Sequence, residues 1–215
     1  MKHRVHVIIP AFNEEESIGL VLRALKGLEQ PIERIIVVNN RSIDSTALVA
    51  RREGALVVEE NERGYGAACL AGLATLRARL LPLPGCMDIV VFLDADYSDY
   101  PEELPSLLAP LLSSEAELVI GSRLSTPQSR RAVPTIARLG NTFAMNTLRL
   151  FYGVRYTDMG PFRAVLWPTL QKLQMSDRTW GWTLEMQIKA ARMKIPSCEV
   201  PVRYRQRYSG KSKIS

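Results

Sequence analysis

Between Val5 and Ile120 the chain alternates short runs rich in Val and Ile with segments of helical period, and this alternation constrains its fold more than any other feature. Parallel strands, buried on both faces, read as near-continuous apolar runs and need a crossover of a dozen or more residues to return in register. The expected strands are Val5–Ile9, Arg34–Val38, Ala55–Val58, Ile89–Leu93 and Leu118–Ile120. Between them, helices are expected near Ser45–Arg52, Tyr65–Arg79 and Pro101–Leu112. A further helix follows the first strand. Asn13 reads as its cap, Glu16 completes a capping box, and Ile18, Val21, Leu22 and Leu25 form its apolar face. The pattern predicts an α/β protein with a mostly parallel, Rossmann-like sheet flanked by helices.

With 215 residues, 47% hydrophobic and 23% charged, one domain with one sizeable core is expected over residues 1–215. The chain changes character near Ser125, dividing into a front half, about 1–124, and a back half, about 125–215. The back half has an Arg-rich loop through Arg131, an amphipathic helix over about Pro134–Tyr152 and a helix near Thr183–Met193. Cys69, Cys86 and Cys198 lack metal-ligand spacing and their odd number closes no disulfide framework, which suits a reducing compartment. A strand pattern begins at Val5, leaving no room for a signal peptide, and no apolar run reaches the roughly 18 residues of a membrane span. A cytoplasmic protein is expected, soluble or peripheral at the membrane face.

The net charge of +6 is concentrated late: Arg192, Lys194, Arg203, Arg205, Arg207, Lys211 and Lys213 face the single acid Glu199. Such a balance suits a phosphate-bearing ligand, an anionic membrane or nucleic acid, or is simply a solvated tail.

Open α/β sheets bind ligands outside the carboxyl ends of their strands. Polar residues gather at those ends: Pro10–Glu14, Asn39–Asp44, Asp94–Asp99, and Ser122 with Arg123. The sharpest group is Asp94-Ala95-Asp96. Residues two apart on a strand point to one side, so both carboxylates can address one hard cation, which would bridge them to a diphosphate. Two competing nucleotide folds fail on the same residues. Pro10-Ala11-Phe12-Asn13-Glu14 has none of the glycines of a dinucleotide-binding turn, and Gly210-Lys211-Ser212 has no strand and helix around it to make a phosphate loop.

The ordered set Ile9-Pro10-Ala11-Phe12-Asn13-Glu14-Glu15, Ser42-Ile43-Asp44-Ser45-Thr46, Arg63-Gly64-Tyr65-Gly66, Asp94-Ala95-Asp96, Gly121-Ser122-Arg123, Gly160-Pro161-Phe162-Arg163 and Arg207-Tyr208-Ser209-Gly210-Lys211-Ser212-Lys213 spans nearly the whole chain. It resembles family 2 glycosyltransferases of the GT-A fold, and within them the polyprenyl-phosphate sugar transferases. The resemblance implies a nucleotide-sugar donor, Mg²⁺ or Mn²⁺ on Asp94 and Asp96, and inverting in-line transfer of a hexose. It also implies that Pro10, Ala11, Phe12, Glu14, Asn39, Asn40, Gly64, Asp94 and Ala95 line the nucleotide site, while Arg123 and Arg207 meet phosphate. Arginine suits that role because its planar fork pairs with phosphate oxygens and stays charged.

Two positions depart from the family pattern. Asn39-Asn40 stand where paired aspartates are usual; an amide offers one donor and one acceptor, closer to uracil's edge than to guanine's, which tilts the donor toward UDP over GDP. Ser98 stands where those mannosyltransferases tend to carry Gln.

The acceptor divides into two cases. A phosphate arrives ionised and needs no base; Arg130, Arg131, Arg138 and Arg207 would position it, and the helix bearing Ile136, Leu139, Phe143, Leu148, Leu150 and Phe151 would offer lipid an apolar side. A hydroxyl needs a base within hydrogen-bond reach, for which Glu185 and then Asp158 are the candidates, with Trp180 and Trp182 stacking on a sugar. A third class is a non-catalytic sugar-nucleotide or nucleic acid binding module, against which the intact Asp94 and Asp96 stand; no nucleic acid partner is expected.

Overall fold

The computed structural model describes residues 2–79 and 86–210. In chain order the elements are β1 (Lys2–Ala11), α1 (Ile18–Lys26), β2 (Arg34–Asn39), α2 (Thr46–Arg52), β3 (Leu56–Glu59), α3 (Tyr65–Arg79) and β4 (Cys86–Phe92). Then follow α4 (Leu104–Leu112), β5 (Leu118–Ser122), α5 (Pro127–Ala132), α6 (Thr135–Tyr152), β6 (Arg163–Leu166), α7 (Trp167–Leu173), α8 (Trp182–Arg192) and β7 (Ser197–Pro201). The strands form one sheet in the order β3-β2-β1-β4-β6-β5-β7. β6 runs antiparallel to both its neighbours; every other pairing is parallel.

The period of two along β1 sorts its side chains between two cores. Val5, Val7 and Ile9 join Ile18, Val21, Leu22 and Leu25 of α1 and Leu104, Leu107, Leu108 and Leu111 of α4 on one face. Ile8 joins Ala68, Cys69 and Leu76 of α3 and Trp182 and Met186 of α8 on the other. α3 sits close to the sheet because its facing residues are small: a Cβ on Gly72 would stand 2.6 Å from Ile8 Cγ2. Strands β1, β2 and β4 thus end side by side, and their following loops share one edge.

Helix α1 departs from expectation at its start. It begins at Ile18, with Ser17 at the cap position, so Asn13 is not the cap and no capping box forms with Glu16. Asn13 takes a left-handed backbone (φ 53°) and works across the loop instead: its Oδ1 accepts from the Ile43 N–H at 2.9 Å, and its own N–H donates to Ser42 Oγ at 2.9 Å. The amide satisfies a neighbouring loop rather than its own helix. β6, β7, α5 and α7 were not expected from the sequence. β6 spans four residues, Arg163–Leu166, too few for a periodic signal. Cys69 and Cys198 are free thiols. Lys211, Ser212 and Lys213 of the last motif, and the Cys86 and Ile136 side chains, lie outside the described residues.

Candidate active site

Three loops at the shared sheet edge make the site. The first two are laced together: the Glu14 N–H donates to Thr46 Oγ1 at 2.8 Å, the Glu15 N–H to Asp44 Oδ2 at 3.2 Å, and the Ser45 N–H returns to Glu15 Oε2 at 2.9 Å. Pro10 and Ala11 close β1 beneath this lacing. Phe12 is half-buried, with the Arg63 guanidinium 5.4 Å from its ring centroid.

Asn39 and Asn40 are engaged within the protein. Asn39 Nδ2 donates to Glu59 Oε2 at 2.6 Å while its Oδ1 accepts from the Ser42 N–H; Asn40 Nδ2 donates to the Glu60 and Glu62 carbonyls while its Oδ1 accepts from the Gly64 N–H at 2.9 Å. Asn40 thus spends both amide hydrogens within the protein, whereas Asn39 spends one of its two. Gly64 and Gly66 are glycines for packing: a Cβ on either would lie 2.0 Å from a backbone oxygen of Arg178 or Asp177. The Asp177–Gly181 segment therefore rests on the start of α3, and the Gly66 and Ala67 N–H groups donate to the Thr179 and Arg178 carbonyls at 2.9 Å.

The third loop carries Asp94-Ala95-Asp96. β4 ends at Phe92, so the two aspartates sit in the turn after the strand rather than on it. Ala95 is buried in the core beneath them. Asp96 is held by Ser98, whose N–H and hydroxyl both donate to Oδ1, at 3.0 and 2.6 Å. Ser98 thus braces the turn. Asp94 Oδ1 and the hydroxyl of neighbouring Tyr65 are both buried without a hydrogen bond of good geometry, and the proximity of that hydroxyl offsets only part of the effect of burial on the Asp94 carboxyl. Burial first, and the charge of Asp96 second, push the Asp94 carboxyl up to about 7. An orphaned buried carboxylate oxygen beside a second carboxylate is the environment a divalent cation relieves. Among the described residues no cluster of three acidic, His or Cys side chains could hold a metal, so the rest of a hard ion's shell would come from diphosphate oxygens and water.

Arg123 closes β5 and reaches this group. It grips Asp158 through Nε and a second guanidinium nitrogen, both at 2.8 Å, and through its backbone N–H, also at 2.8 Å. Burial alone would raise the Asp158 carboxyl, but the bonds from Arg123 win and hold it below the usual carboxylate range. Glu185 is similarly occupied. It accepts from the Ser176 and Asp177 N–H groups and the Ser176 hydroxyl and pairs with Lys189 at 2.7 Å; these bonds outweigh burial and lower its pKa. From the far end of the chain Arg207 pairs with Glu14 and donates to the Ser209 carbonyl at 2.7 Å.

The expected acceptor residues separate. Trp180 is half exposed and stacks on Tyr65 at 6.2 Å between centroids, beside Asp94. Trp182, by contrast, is a correction: it is wholly buried against Phe92, with no face for a sugar, because it opens α8 on the core side. Arg130 and Arg131 lie exposed on α5, and Arg138 is half-buried on α6, donating to Thr135 Oγ1 at 3.0 Å. On α6, Leu148 faces the core, a second correction, whereas Leu139, Phe143, Leu150 and Phe151 are 67–79% exposed. Sequence reasoning placed Tyr65 in a motif and Asp99 at the ligand edge but gave neither a role of its own. Asp99 is buried with neither carboxylate oxygen bonded, and burial and Asp94 together push it well up. Its position five residues past Asp94 was the available signal.

A sheet with one reversed strand, carrying paired carboxylates after β4 and arginines converging from β5 and the C-terminal segment, is the arrangement of a glycosyltransferase of GT-A type. Residues 6–167 match the family described as Glycosyl transferase family 2, and the chain belongs to that family. It is 37% identical over 211 residues to an uncharacterized glycosyltransferase of Mycobacterium tuberculosis, covering 98% of this chain and 89% of the relative. It is 30% identical over 222 residues to the undecaprenyl-phosphate mannosyltransferase of Micrococcus luteus, covering 99% and 88%. Among solved structures, glucosyl-3-phosphoglycerate synthase from Mycobacterium tuberculosis with Mn²⁺, UDP and glucosyl-3-phosphoglycerate superposes with a TM-score of 0.71 at 22% identity, over 97% of this chain and 73% of that one. That likeness establishes the shared fold. Membership in the family leaves the non-catalytic module without support.

Proposed function

We propose that the enzyme transfers a hexose from a UDP- or GDP-sugar to a polyprenyl phosphate, with inversion at C1. The observation that carries the choice of acceptor is the state of the two candidate bases. Asp158 is locked in a two-point pair with Arg123, and Glu185 is consumed by the Ser176–Asp177 backbone and Lys189. Both are held in the weakly basic, depressed range. A hydroxyl acceptor would need one of them; a phosphate oxygen is ionised already and attacks C1 as the bond to the departing diphosphate breaks. The name of the Micrococcus luteus relative points the same way.

Asp94 and Asp96 would hold Mg²⁺ or Mn²⁺, which supplies positive charge to the leaving diphosphate. The chain's own residues do the rest. Pro10 to Glu14 and Gly64 border the nucleoside, and a diphosphate would compete with Glu14 for Arg207. Arg123, fixed by Asp158, presents its charge at the end of β5. Trp180 stands where a hexose face could stack.

Peripheral membrane contact completes the proposal. No helix among the described residues is long and apolar enough to cross a membrane. Yet α6 leaves Leu139, Phe143, Leu150 and Phe151 open, in a stretch from Leu118 to Thr157 that contains no Asp or Glu but includes Arg130, Arg131, Arg138, Arg149 and Arg155. Apolar side chains framed by arginine alone suit an anionic lipid surface and repel a second copy of the same face.

The test pairs labelled UDP-glucose and GDP-mannose, each with Mn²⁺, with a short polyprenyl phosphate or the matching polyprenol. Label on the phosphate alone supports the proposal. Label on the polyprenol but not the phosphate contradicts it and returns Glu185 or Asp158 to the role of base.

A further inference from the structure

The turn that carries Asp94 and Asp96 does not stand by itself. Tyr97 takes a left-handed backbone (φ 58°), a conformation that bulky residues rarely adopt unless their surroundings hold it. The holding segment comes from more than a hundred residues away, where Val202–Tyr208 runs along the turn. Asp99 and Tyr204 form an antiparallel bridge, the Arg205 N–H donates to the Ser98 carbonyl at 2.9 Å, and the Tyr208 N–H donates to the Asp96 carbonyl at 3.0 Å.

Three arginines alternate along this segment, and each does something different. Arg203 lies at the rim, over Tyr100 and paired with Glu103. Arg207 turns to Glu14. Arg205 enters the turn: its guanidinium is 3.6 Å from the Tyr97 ring centroid and 4.0 Å from that of Tyr100. In that slot Nε donates to the Tyr97 carbonyl at 2.6 Å, and a terminal nitrogen to the Asp99 carbonyl at 3.3 Å.

We propose that Arg205 is a positioning residue for the metal-binding turn, its guanidinium lying against the Tyr97 and Tyr100 rings and bonded to the Tyr97 and Asp99 carbonyls so that the left-handed Tyr97 is held and Asp96 keeps its aim. This rests on Asp94 and Asp96 being the metal ligands. A guanidinium suits the role, because one side chain must approach two rings and donate to two carbonyls together. Lysine supplies the charge without the plane. The clamp acts through the turn and touches neither donor nor acceptor, so its signature is metal affinity rather than donor chemistry.

The experiment titrates Mn²⁺ against the protein with UDP present, following free Mn²⁺ by electron paramagnetic resonance, for wild type, Arg205→Met, Arg205→Lys and Arg203→Met. Loss of a residue that orients a metal ligand weakens affinity about tenfold or more. Arg205→Met is expected to show that loss, Arg205→Lys a partial one, and Arg203→Met none. Wild-type affinity in Arg205→Met overturns the clamp, and so does an equal loss in Arg203→Met, which would make the effect one of general charge. Should Arg205→Met fail to fold, Arg205→Lys decides, and wild-type affinity there overturns the proposal. Absence of Mn²⁺ binding by the wild type itself would fell the metal assignment, and the clamp with it.

Discussion

Helices α3 and α6 both lie along the sheet's second core, yet they are built on opposite principles. α3 buries Gly66, Ala67, Ala68, Cys69 and Gly72; Gly72 meets the strands and Gly66 the Asp177 segment, and neither glycine leaves room even for a methyl group. α6 buries Ala144, Met145 and Leu148 but turns Leu139, Phe143, Leu150 and Phe151 outward, and nothing lies within 4 Å of a Cβ on Gly140. The first helix is shaped by the fold and is packed against both the sheet and the Asp177–Gly181 segment. The second carries apolar area that folding does not use, and unused area of that kind marks a surface for something else.

That contrast can be broken at several points. The largest effect belongs to the donor side: Asp96→Ala is expected to lower turnover at least about a thousandfold, by removing charge stabilisation of the leaving group. Steady-state rates with Mn²⁺ check it, and a near-wild-type rate would detach the carboxylate pair from catalysis. Next comes the outer face of α6. Replacing Phe143 and Leu150 together with Ser should remove about 3 kcal/mol or more of apolar transfer energy, and so cut partitioning onto anionic vesicles at least about a hundredfold. Melting temperature should hardly move, since both side chains are exposed. A large drop in melting temperature would show that the face is part of the core after all.

Paired glycine substitutions sharpen the comparison. Gly72→Val drives side-chain atoms into Ile8 and Val38 and should destabilise by about 1–3 kcal/mol in urea denaturation. Gly140→Ala meets open space within a helix and should stabilise by up to about 1 kcal/mol. Equal effects of the same sign would erase the distinction between the helices.

The smallest effect lies at the opposite end of the sheet from the site. His6 is buried, its Nε2 bonded to Asp88 at 2.9 Å and its Nδ1 without a partner. Burial, more than any neighbouring charge, lowers its pKa below 6.5. The unfolded chain therefore takes up a proton as pH falls through 6.5, before the folded one does, and stability drops with it. The depressed Asp88 adds loss in the same direction at lower pH. Melting temperature should fall by a few degrees between about pH 7.5 and 5.5, and by less in His6→Leu.

The front half of this architecture was legible because its strands are Val- and Ile-rich and its crossovers are long. Tyr65–Arg79 and the other front helices fill the crossovers between those strands. The back half was less so: β6 gains its place by pairing with β4 and β5, which no local pattern of four residues can announce. In the site, Asp94, Asp96 and Arg123 were visible as charged residues at strand ends, and Arg207 as part of the late basic cluster. The Asn13 cap was misplaced because its amide had a better partner in Ile43, thirty residues away in sequence. Trp182 was placed outside because a helix's first residue carries no sign of which face it will show. Tyr65 and Arg205 meet their neighbours across long stretches of sequence, and sequence spacing does not record those.

The most direct measurement is a thermal-shift panel of UDP-glucose, GDP-mannose and other sugar nucleotides, each with and without Mn²⁺, on wild type and Asp96→Ala. A ligand that binds only the native state raises its stability. The expected result is stabilisation of wild type by one sugar nucleotide, dependent on Mn²⁺ and absent from Asp96→Ala. Stabilisation that is equal with and without Mn²⁺, or that survives in Asp96→Ala, would contradict a metal-assisted donor site at Asp94 and Asp96.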